Sequence, residues 1–366
     1  MALLDEVLTL IPGLSSQVEN VFSDFSVLNE DFEAVLKKHQ YVKSVETGVV
    51  PESLCAVDGA RVQEKMYAAD LLIAVAVSAN GKSGKRDLPT PSKAWGQVLE
   101  NDAGNSRVNA AAMAALEANL IAEVEHQIRI LDGGFITPLL GISEGVQSKT
   151  RDNRRVVYRL LSDKATAPAA ALADMYSHTQ TRPIIAIPKS DTSSNYVAHV
   201  NKTFGTHINL RDRFFASQTL QPGEYLKPVQ LFAYTNYEIP AHQDILVKER
   251  KILADVQKSV NILVDRCARG ELFFTYLKPT NSTTVIRFEF LCPPGNETET
   301  AARLAAIVNG ETHAPHMLEP YAQVVVDKQA KAISPATQTV KNMIVNNLTE
   351  EERKRYGYLL LRNYRT

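Results

Sequence analysis

The sequence predicts an α/β protein in which helices flank a mixed β-sheet and a helical arm precedes it. Strand-like and helix-like segments alternate along most of the chain, without an internal repeat or a low-complexity tract. A length of 366 residues, with 45% hydrophobic and 22% charged residues, is sufficient for a large core. We predict a helical arm over 1–47, a main domain over 48–335 and a C-terminal helical extension over 336–366.

The first elements follow from apolar spacing. Within the first 45 residues the helical spacing defines an apolar stripe of Leu14, Val18, Val21, Phe22 and Phe25. This stripe packs on its own domain or contacts a second copy or another partner. A strand over 54–57 is expected to end at Asp58-Gly59 and to form a hairpin with an apolar strand over 68–77. Residues 80–106, rich in Gly, Pro and polar residues, predict a long loop.

The remaining elements alternate in type. A helix is predicted at 107–127, and a short strand at 128–131 leads into Asp132. Residues 190–250 show no clear pattern. The other predicted elements are a helix at 165–179, a strand at 182–188, a helix at 249–268, an antiparallel hairpin of 272–276 with 284–290, and helices at 299–309, 320–332 and 336–347.

Composition limits the classes of protein. No apolar run reaches the roughly 18 residues of a membrane span, and the acidic start of the chain argues against a secretory signal. The scattered Cys55, Cys267 and Cys292 predict neither a disulfide framework nor a structural zinc site, and they favour a reducing cytoplasm. Because the net charge is −1, a surface that binds nucleic acid would have to be a local cluster of positive charge. Three basic clusters, at 82–86, 149–155 and 353–355, either contact phosphates or are solvated faces.

Two segments share one pattern, an apolar strand that runs into Asp-Gly. They are AVDGA at 56–60 and ILDGGF at 130–135, with Asp58 and Asp132 as the acids. Each glycine leaves room beside the carboxylate. Two such carboxylates repel each other when they are close, so they favour a cation, and all-oxygen ligands suit Mg²⁺ or Mn²⁺. The alternative is that each Asp-Gly is only a turn.

Other acids could complete this site. The helix between the two segments offers Glu117, Glu123 and Glu125, of which Glu117 has the most apolar surroundings. Near the C-terminus, Glu319 and Asp327 flank a Pro-Tyr segment, and Asp327 could instead be an acid at the start of a helix. No phosphate-binding glycine loop and no HExxH motif is present, so common nucleotide-binding and zinc-hydrolase sites are not indicated.

The ordered set of motifs resembles the nuclease core of the NurA family. The similarity rests on VDGA at Asp58, LExxL at Glu117 and LDGGF at Asp132. It continues through a strand ending in Lys189, the Arg-x-Glu strand at 287–289 and the closing segment at 319–331. The resemblance covers roughly residues 50–335.

The resemblance implies an RNase H-like fold and a divalent-metal-dependent deoxyribonuclease that hydrolyses phosphodiester bonds at DNA ends by two-metal-type chemistry. It implies Mn²⁺ or Mg²⁺ as cofactor, with Asp58, Asp132, Glu117 and Asp327 as metal ligands. Lys189 would stabilise charge on the phosphate. The implied partners are DNA, a second copy in a homodimer, and a HerA-type hexameric translocase.

The chain departs from the family pattern at several positions. The closing Tyr and His of the family are Glu319 and Asp327 here, and Gly and Ala replace the serines after the two Asp-Gly pairs. These changes either retune the site or weaken it. The alternative function is therefore a non-catalytic NurA-like clamp or adaptor subunit of a translocase complex. Cleavage polarity, strand preference and a role in repair or defence stay open.

Overall fold

The computed structural model describes residues 12–13, 15–17, 30–177, 182–189, 192–232, 234–312, 314–315 and 317–361. In these residues a ten-stranded sheet has the order β1-β7-β9-β10-β6-β5-β2-β3-β4, and β8 pairs with β9. The strands are β1 (Val42–Ser44), β2 (Leu54–Lys65), β3 (Ala69–Asn80), β4 (Ser92–Glu100), β5 (Ile128–Asp132), β6 (Ile184–Ile187), β7 (Glu224–Leu226), β8 (Val229–Gln230), β9 (Leu272–Lys278) and β10 (Ile286–Leu291).

The centre of the sheet is parallel and its flanks are antiparallel. β2 pairs with β5 and β5 with β6 in parallel, whereas β3 and β4 extend one flank and β10 and β9 the other in antiparallel pairs. The carboxyl ends of β5 and β6 and the middle of the longer β2 therefore meet at one edge of the parallel strands. This arrangement determines where Asp58 and Asp132 lie.

Helices cover both faces of the sheet. They are α1 (Glu30–Lys38), α2 (Asn105–Glu123), α3 (Thr137–Val146), α4 (Arg151–Ser162), α5 (Ala169–Ser177), α6 (Asn195–Phe204), α7 (Asp212–Thr219), α8 (Val247–Ala268), α9 (Glu297–Glu311), α10 (Tyr321–Lys331), α11 (Ile333–Asn346) and α12 (Glu350–Leu361). No helix of the described residues is long and apolar enough to cross a membrane.

Two cores lie on opposite faces of the sheet. Val57 and Leu131 join the core on the side of α2, whereas their neighbours Ala56 and Ile130 join the core on the side of α9 and α10. Because both faces of the central strands are buried, β6 is apolar at every position and β5 is apolar at both Ile130 and Leu131, rather than at alternate residues.

Small residues bring α2 and α3 close together. A Cβ added at Gly141 would lie 2.8 Å from the Ala114 Cβ, and one at Gly145 would lie 2.5 Å from the Ala111 Cβ. The alanine-rich face of α2 therefore packs directly on the α3 backbone.

The structure confirms that β2 and β3 form a hairpin, but it moves the turn past Lys65 and corrects the predicted loop. β2 continues through Asp58-Gly59 to Lys65, so this pair is not a turn and Asp58 does not end its strand. The predicted loop contains β4, which pairs with β3 along nine positions. Trp95 and Leu99 lie on its half-buried face and pack against the core, whereas the exposed face includes Ala94, Gly96 and Val98.

Other predicted elements are found with changed limits. The hairpin of β9 and β10 and the helices α2, α8, α9, α10 and α11 are confirmed. The helix predicted at 165–179 is the shorter α5, and α3 and α4 were not predicted. In the predicted arm, residues 42–44 form β1, which pairs with β7. The apolar stripe of the arm lies outside the described residues.

Candidate functional site

Asp58 and Asp132 lie on the neighbouring parallel strands β2 and β5. The register pairs Val57 with Leu131, so the two acids follow this pair at the same level of the sheet. The Lys189 Nζ lies 3.5 Å from Asp58 Oδ2 and 2.8 Å from Asp132 Oδ2. The two carboxylates are therefore close enough for one ammonium group to contact both.

Lys189 also contacts a third acid. It follows β6 at the edge of the sheet, and its Nζ lies 2.7 Å from Asp327 Oδ1. The second oxygen of Asp327 lies 2.8 Å from the Lys331 Nζ, one helical turn further along α10. Asp327 is in the middle of α10, so the alternative of an acid at the start of a helix is wrong.

Glu117 is the acid of α2 that reaches the site. Its side chain is buried against Gly59, where an added Cβ would lie 2.9 Å from the Glu117 Cδ. Any other residue at 59 would therefore displace this carboxylate. Glu123 instead pairs with Lys93 at 2.5 Å, and Glu125 is exposed beyond the end of the helix.

Four acids, Asp58, Glu117, Asp132 and Asp327, form an acid cluster in which negative charge exceeds the positive charge of Lys189. Burial, followed by the charge of Asp132, raises the pKa of Asp58 to about 7, although Lys189 opposes the shift. Burial and the charges of Asp58 and Asp132 raise the pKa of Glu117 to about 8. One lysine thus leaves these two buried carboxyl groups costly to ionise.

The acids nearer the surface respond differently. Partial burial raises the pKa of Asp327, but hydrogen bonds from Lys189 and Lys331 outweigh it and lower the pKa. Burial raises the pKa of Glu319, and the charges of Asp132 and Asp327 act in the same direction. Glu319 therefore lies within electrostatic range of the acid cluster.

Gln323 is a residue of this site that sequence reasoning missed. It is fully buried, and its Nε2 donates to Asp132 Oδ1 at 2.6 Å and to the Ile187 carbonyl at 3.3 Å. Its Oε1 is buried without a hydrogen-bond partner among the described residues. The available signal was the spacing of four between Gln323 and Asp327, which places both side chains on one face of α10.

The Arg-x-Glu strand supports the loop after Asp132. Arg287 Nη2 donates to Glu289 Oε1 at 2.8 Å, and Glu289 Oε2 accepts the Phe135 amide at 3.3 Å. The Arg287 guanidinium also lies over the Phe274 ring, 4.7 Å from its centroid. This buried pair thus fixes the segment that carries Asp132.

The predicted basic clusters make local contacts. In the cluster at 82–86, Lys85 pairs with Glu52 at 2.9 Å, and Arg86 Nε donates to the Lys82 carbonyl. Arg353, in the cluster at 353–355, donates to the Asn346 carbonyl at 2.9 Å. In the cluster at 149–155, Arg154 pairs with Asp244 at 2.6 Å.

The donor chemistry of the acid cluster suits a hard divalent cation. Among the described residues, no three His, Cys, Asp or Glu side chains form a ready set of metal ligands, and an ammonium lies between the carboxylates. The available donors are nevertheless all carboxylate oxygens, and burial together with neighbouring negative charge raises the pKa of two of them, Asp58 and Glu117. Such a donor set fits Mg²⁺ or Mn²⁺ and not zinc.

The sheet order and the helices on both faces define an RNase H-like α/β fold. More narrowly, the chain has the fold of NurA. The NurA nuclease from Sulfolobus solfataricus has a TM-score of 0.60 at 12% identity, covering 96% of this chain and 99% of that chain. A structure of NurA with manganese has a TM-score of 0.52 at 11% identity, covering 93% and 99%. A further NurA structure has a TM-score of 0.51 at 10% identity, covering 95% and 99%.

These identities show a shared fold. No family model matches the sequence, and no curated protein matches it.

Proposed function

We propose that this protein is a divalent-metal-dependent deoxyribonuclease that hydrolyses phosphodiester bonds at DNA ends. The observation that supports this function is the meeting of Asp58, Asp132 and Glu117, from three separate elements, at one edge of the parallel strands in a NurA fold. Burial, together with neighbouring negative charge, raises the pKa of Asp58 and of Glu117, so ionising these two carboxyl groups destabilises the fold unless a cation binds them. Metal binding accounts for their presence.

Asp58, Asp132, Glu117 and Asp327 are the proposed metal ligands. Asp58 Oδ1 accepts the Gly59 amide at 2.8 Å, which leaves Oδ2 towards Lys189. Asp132 is held in the same manner, with Oδ1 on Gln323 and Oδ2 on Lys189. Each aspartate is thus oriented by one oxygen and presents the other to the site.

The bound cations would supply an activated water and stabilisation of the leaving oxygen, as in two-metal hydrolases. The protein itself positions Lys189, whose ammonium is held between Asp132 and Asp327 at the edge of the sheet. Its side chain is about one-third exposed, so it can contact a phosphate that approaches from solvent. There it would stabilise negative charge that develops during cleavage.

A metal-titrated cleavage assay on linear DNA tests this function. Wild-type protein should cut with Mn²⁺ or Mg²⁺ and not with EDTA, and Asp58→Ala should abolish cleavage. Asp265→Ala is the matched control, because Asp265 is an exposed acid on α8. If Asp58→Ala cuts as wild type does, the assignment is wrong. DNA binding without cleavage at any metal concentration would favour the clamp or adaptor.

The proposed assembly is a homodimer that encloses DNA and works with a HerA-type hexameric translocase. The surface that supports a dimer is an apolar pocket of about 660 Å³ between β3, the edge strand β4 and α11. Val98 on β4 is 40% exposed there. Apolar surface beside an edge strand suits a second copy.

Light scattering with size exclusion tests the dimer. Val98→Glu should shift the protein towards a monomer, because it places a charge in the apolar pocket. Val50→Glu, at a valine that is 65% exposed outside this pocket, should not change the mass. A wild-type monomer, or a Val98→Glu variant that remains dimeric, would contradict this interface.

A further inference from the structure

A pocket of about 510 Å³ lies between α4 and the start of α8. It is formed by the exposed face of α4, which includes the end of the basic cluster at 149–155, and by the first turn of α8. Its volume is sufficient for a nucleotide or for a segment of a nucleic-acid strand.

The charges that line this pocket are mainly positive. Arg155 and Arg159 lie one turn apart on α4, and Lys248 faces them from α8. Arg155 forms an exposed ion pair with Asp152 at 3.2 Å. Such an exposed pair is weak in water, so it competes little with a bound anion for the guanidinium. Within the described part of the chain, Arg159 and Lys248 have no ion pair.

The one acid that lines the pocket has another role. The carboxylate of Glu249 accepts the Leu246 amide at 2.9 Å. Leu246 precedes α8 and offers no side-chain oxygen to the amides of the first turn. The 22-residue helix α8 thus directs uncapped amides and the positive end of its dipole towards this region. Helix N-termini of this kind bind phosphate groups.

Tyr158 supplies an independent observation. It lines the pocket at 3% exposure, and its hydroxyl is buried without a hydrogen-bond partner among the described residues. Burial and the charge of Glu249 raise its pKa to about 12, so the hydroxyl keeps its proton and can donate. An unpaired buried hydroxyl is costly, and a bound acceptor would remove that cost.

We propose that this pocket binds a phosphate group, held by Arg155, Arg159, Lys248 and the Tyr158 hydroxyl. The phosphate belongs either to a nucleic-acid strand that extends from the acid cluster or to a free nucleotide, since both present the same charged oxygens. The pocket shares no residue with the acid cluster. Phosphate binding can be measured in EDTA, where cleavage does not occur, so its failure and the failure of the proposed nuclease activity are separate results.

Two variants and one control test this site. Tyr158→Phe removes only the hydroxyl, and Arg155→Gln with Arg159→Gln removes two positive charges. The control is Arg250→Gln with Lys251→Gln, which removes the same charge from α8 outside the pocket. The probes are a fluorescein-labelled single-stranded oligonucleotide, followed by anisotropy, and thymidine 5′-monophosphate, followed by calorimetry, both in EDTA.

We expect the Arg155 and Arg159 double variant and Tyr158→Phe each to weaken binding about tenfold, the loss expected for a hydrogen bond to a charged group. Tyr158→Phe should also leave the ligand-free unfolding temperature unchanged or raised, because it removes an unpaired hydroxyl. If only the oligonucleotide binds, the ligand is a nucleic-acid strand. If both probes bind and the substitutions weaken both equally, the ligand is a nucleotide. An equal loss in the control, or unchanged binding in Tyr158→Phe, overturns the proposal.

Discussion

Replacing Glu117 by Gln should stabilise the metal-free protein and abolish cleavage. Gln has nearly the same shape but no charge, so it keeps the packing against Gly59 and removes the buried carboxylate. The pKa of Glu117 is raised from 4.5 to about 8. The folded state therefore holds this proton more tightly than the unfolded state, and deprotonation favours unfolding.

The pH window follows from these two pKa values. Below about pH 4.5 Glu117 is protonated in both states and does not lower the free energy of unfolding. As the pH rises towards about 8, it lowers the free energy of unfolding increasingly. At about pH 7 the difference of roughly 2.5 pH units from the unfolded pKa corresponds to about 3 kcal/mol. The free energy of unfolding of the metal-free Glu117→Gln variant should thus be about 3 kcal/mol higher than that of the wild type at neutral pH, and little higher near pH 4.5.

Urea unfolding in EDTA, at about pH 5 and about pH 8, measures this difference. The matched control is Glu123→Gln on the same helix, where the carboxylate is half exposed and pairs with Lys93. That variant should change the free energy of unfolding by less than about 1 kcal/mol, with little pH dependence. A Glu117→Gln variant that is no more stable than the wild type, or whose gain in stability is the same at both pH values, would contradict the buried-carboxylate cost assigned to Glu117.

Further substitutions test the other residues of the site. Gln323→Leu leaves Asp132 Oδ1 without its donor, so we expect a loss of about 1–2 kcal/mol in unfolding free energy and about tenfold weaker Mn²⁺ binding, measured by calorimetry. Asp327→Asn should weaken metal binding, whereas Asp327→His should preserve or raise cleavage; unchanged metal dependence in both would place Asp327 outside the site. Lys189→Gln should lower cleavage but tighten Mn²⁺ binding about tenfold or more, because it removes a competing charge within 4 Å of three carboxylates.

The sequence predicts those features of the site that depend on a single strand, namely the buried strands that carry Asp58 and Asp132. Asp58 and Asp132 each follow apolar residues that fix the backbone, and this local pattern predicts a buried strand next to a carboxylate. The pairing of β2 with β5 cannot be derived from either segment alone, because it depends on contacts between residues far apart in the chain. The proximity of the two acids became evident only in the register of these strands.

Each feature that departs from the prediction does so for a physical reason. Asp58-Gly59 was expected to be a turn because this pair is common in turns. In the structure Gly59 is in a strand and provides the space that the Glu117 side chain occupies. β4 lies in a segment whose Gly, Pro and polar residues predict a loop, and its half-buried face combines Trp95 and Leu99 with a lysine and a glutamine, so no clear apolar alternation marks the strand. Gln323 was missed because a polar residue between apolar ones in a helix does not indicate its partner.

The position of α10 late in the chain has a consequence for biosynthesis. Asp58, Glu117 and Asp132 are all translated before the segment that contains Gln323 and Asp327. α10 packs on β2 and β3, so it joins a sheet whose central strands come from much earlier parts of the chain. Contacts of such large sequence separation form slowly. A nascent or truncated chain that lacks α10 would therefore contain three acids without the helix that orients Asp132, and the proposed hydrolytic activity would arise only after α10 has been synthesised.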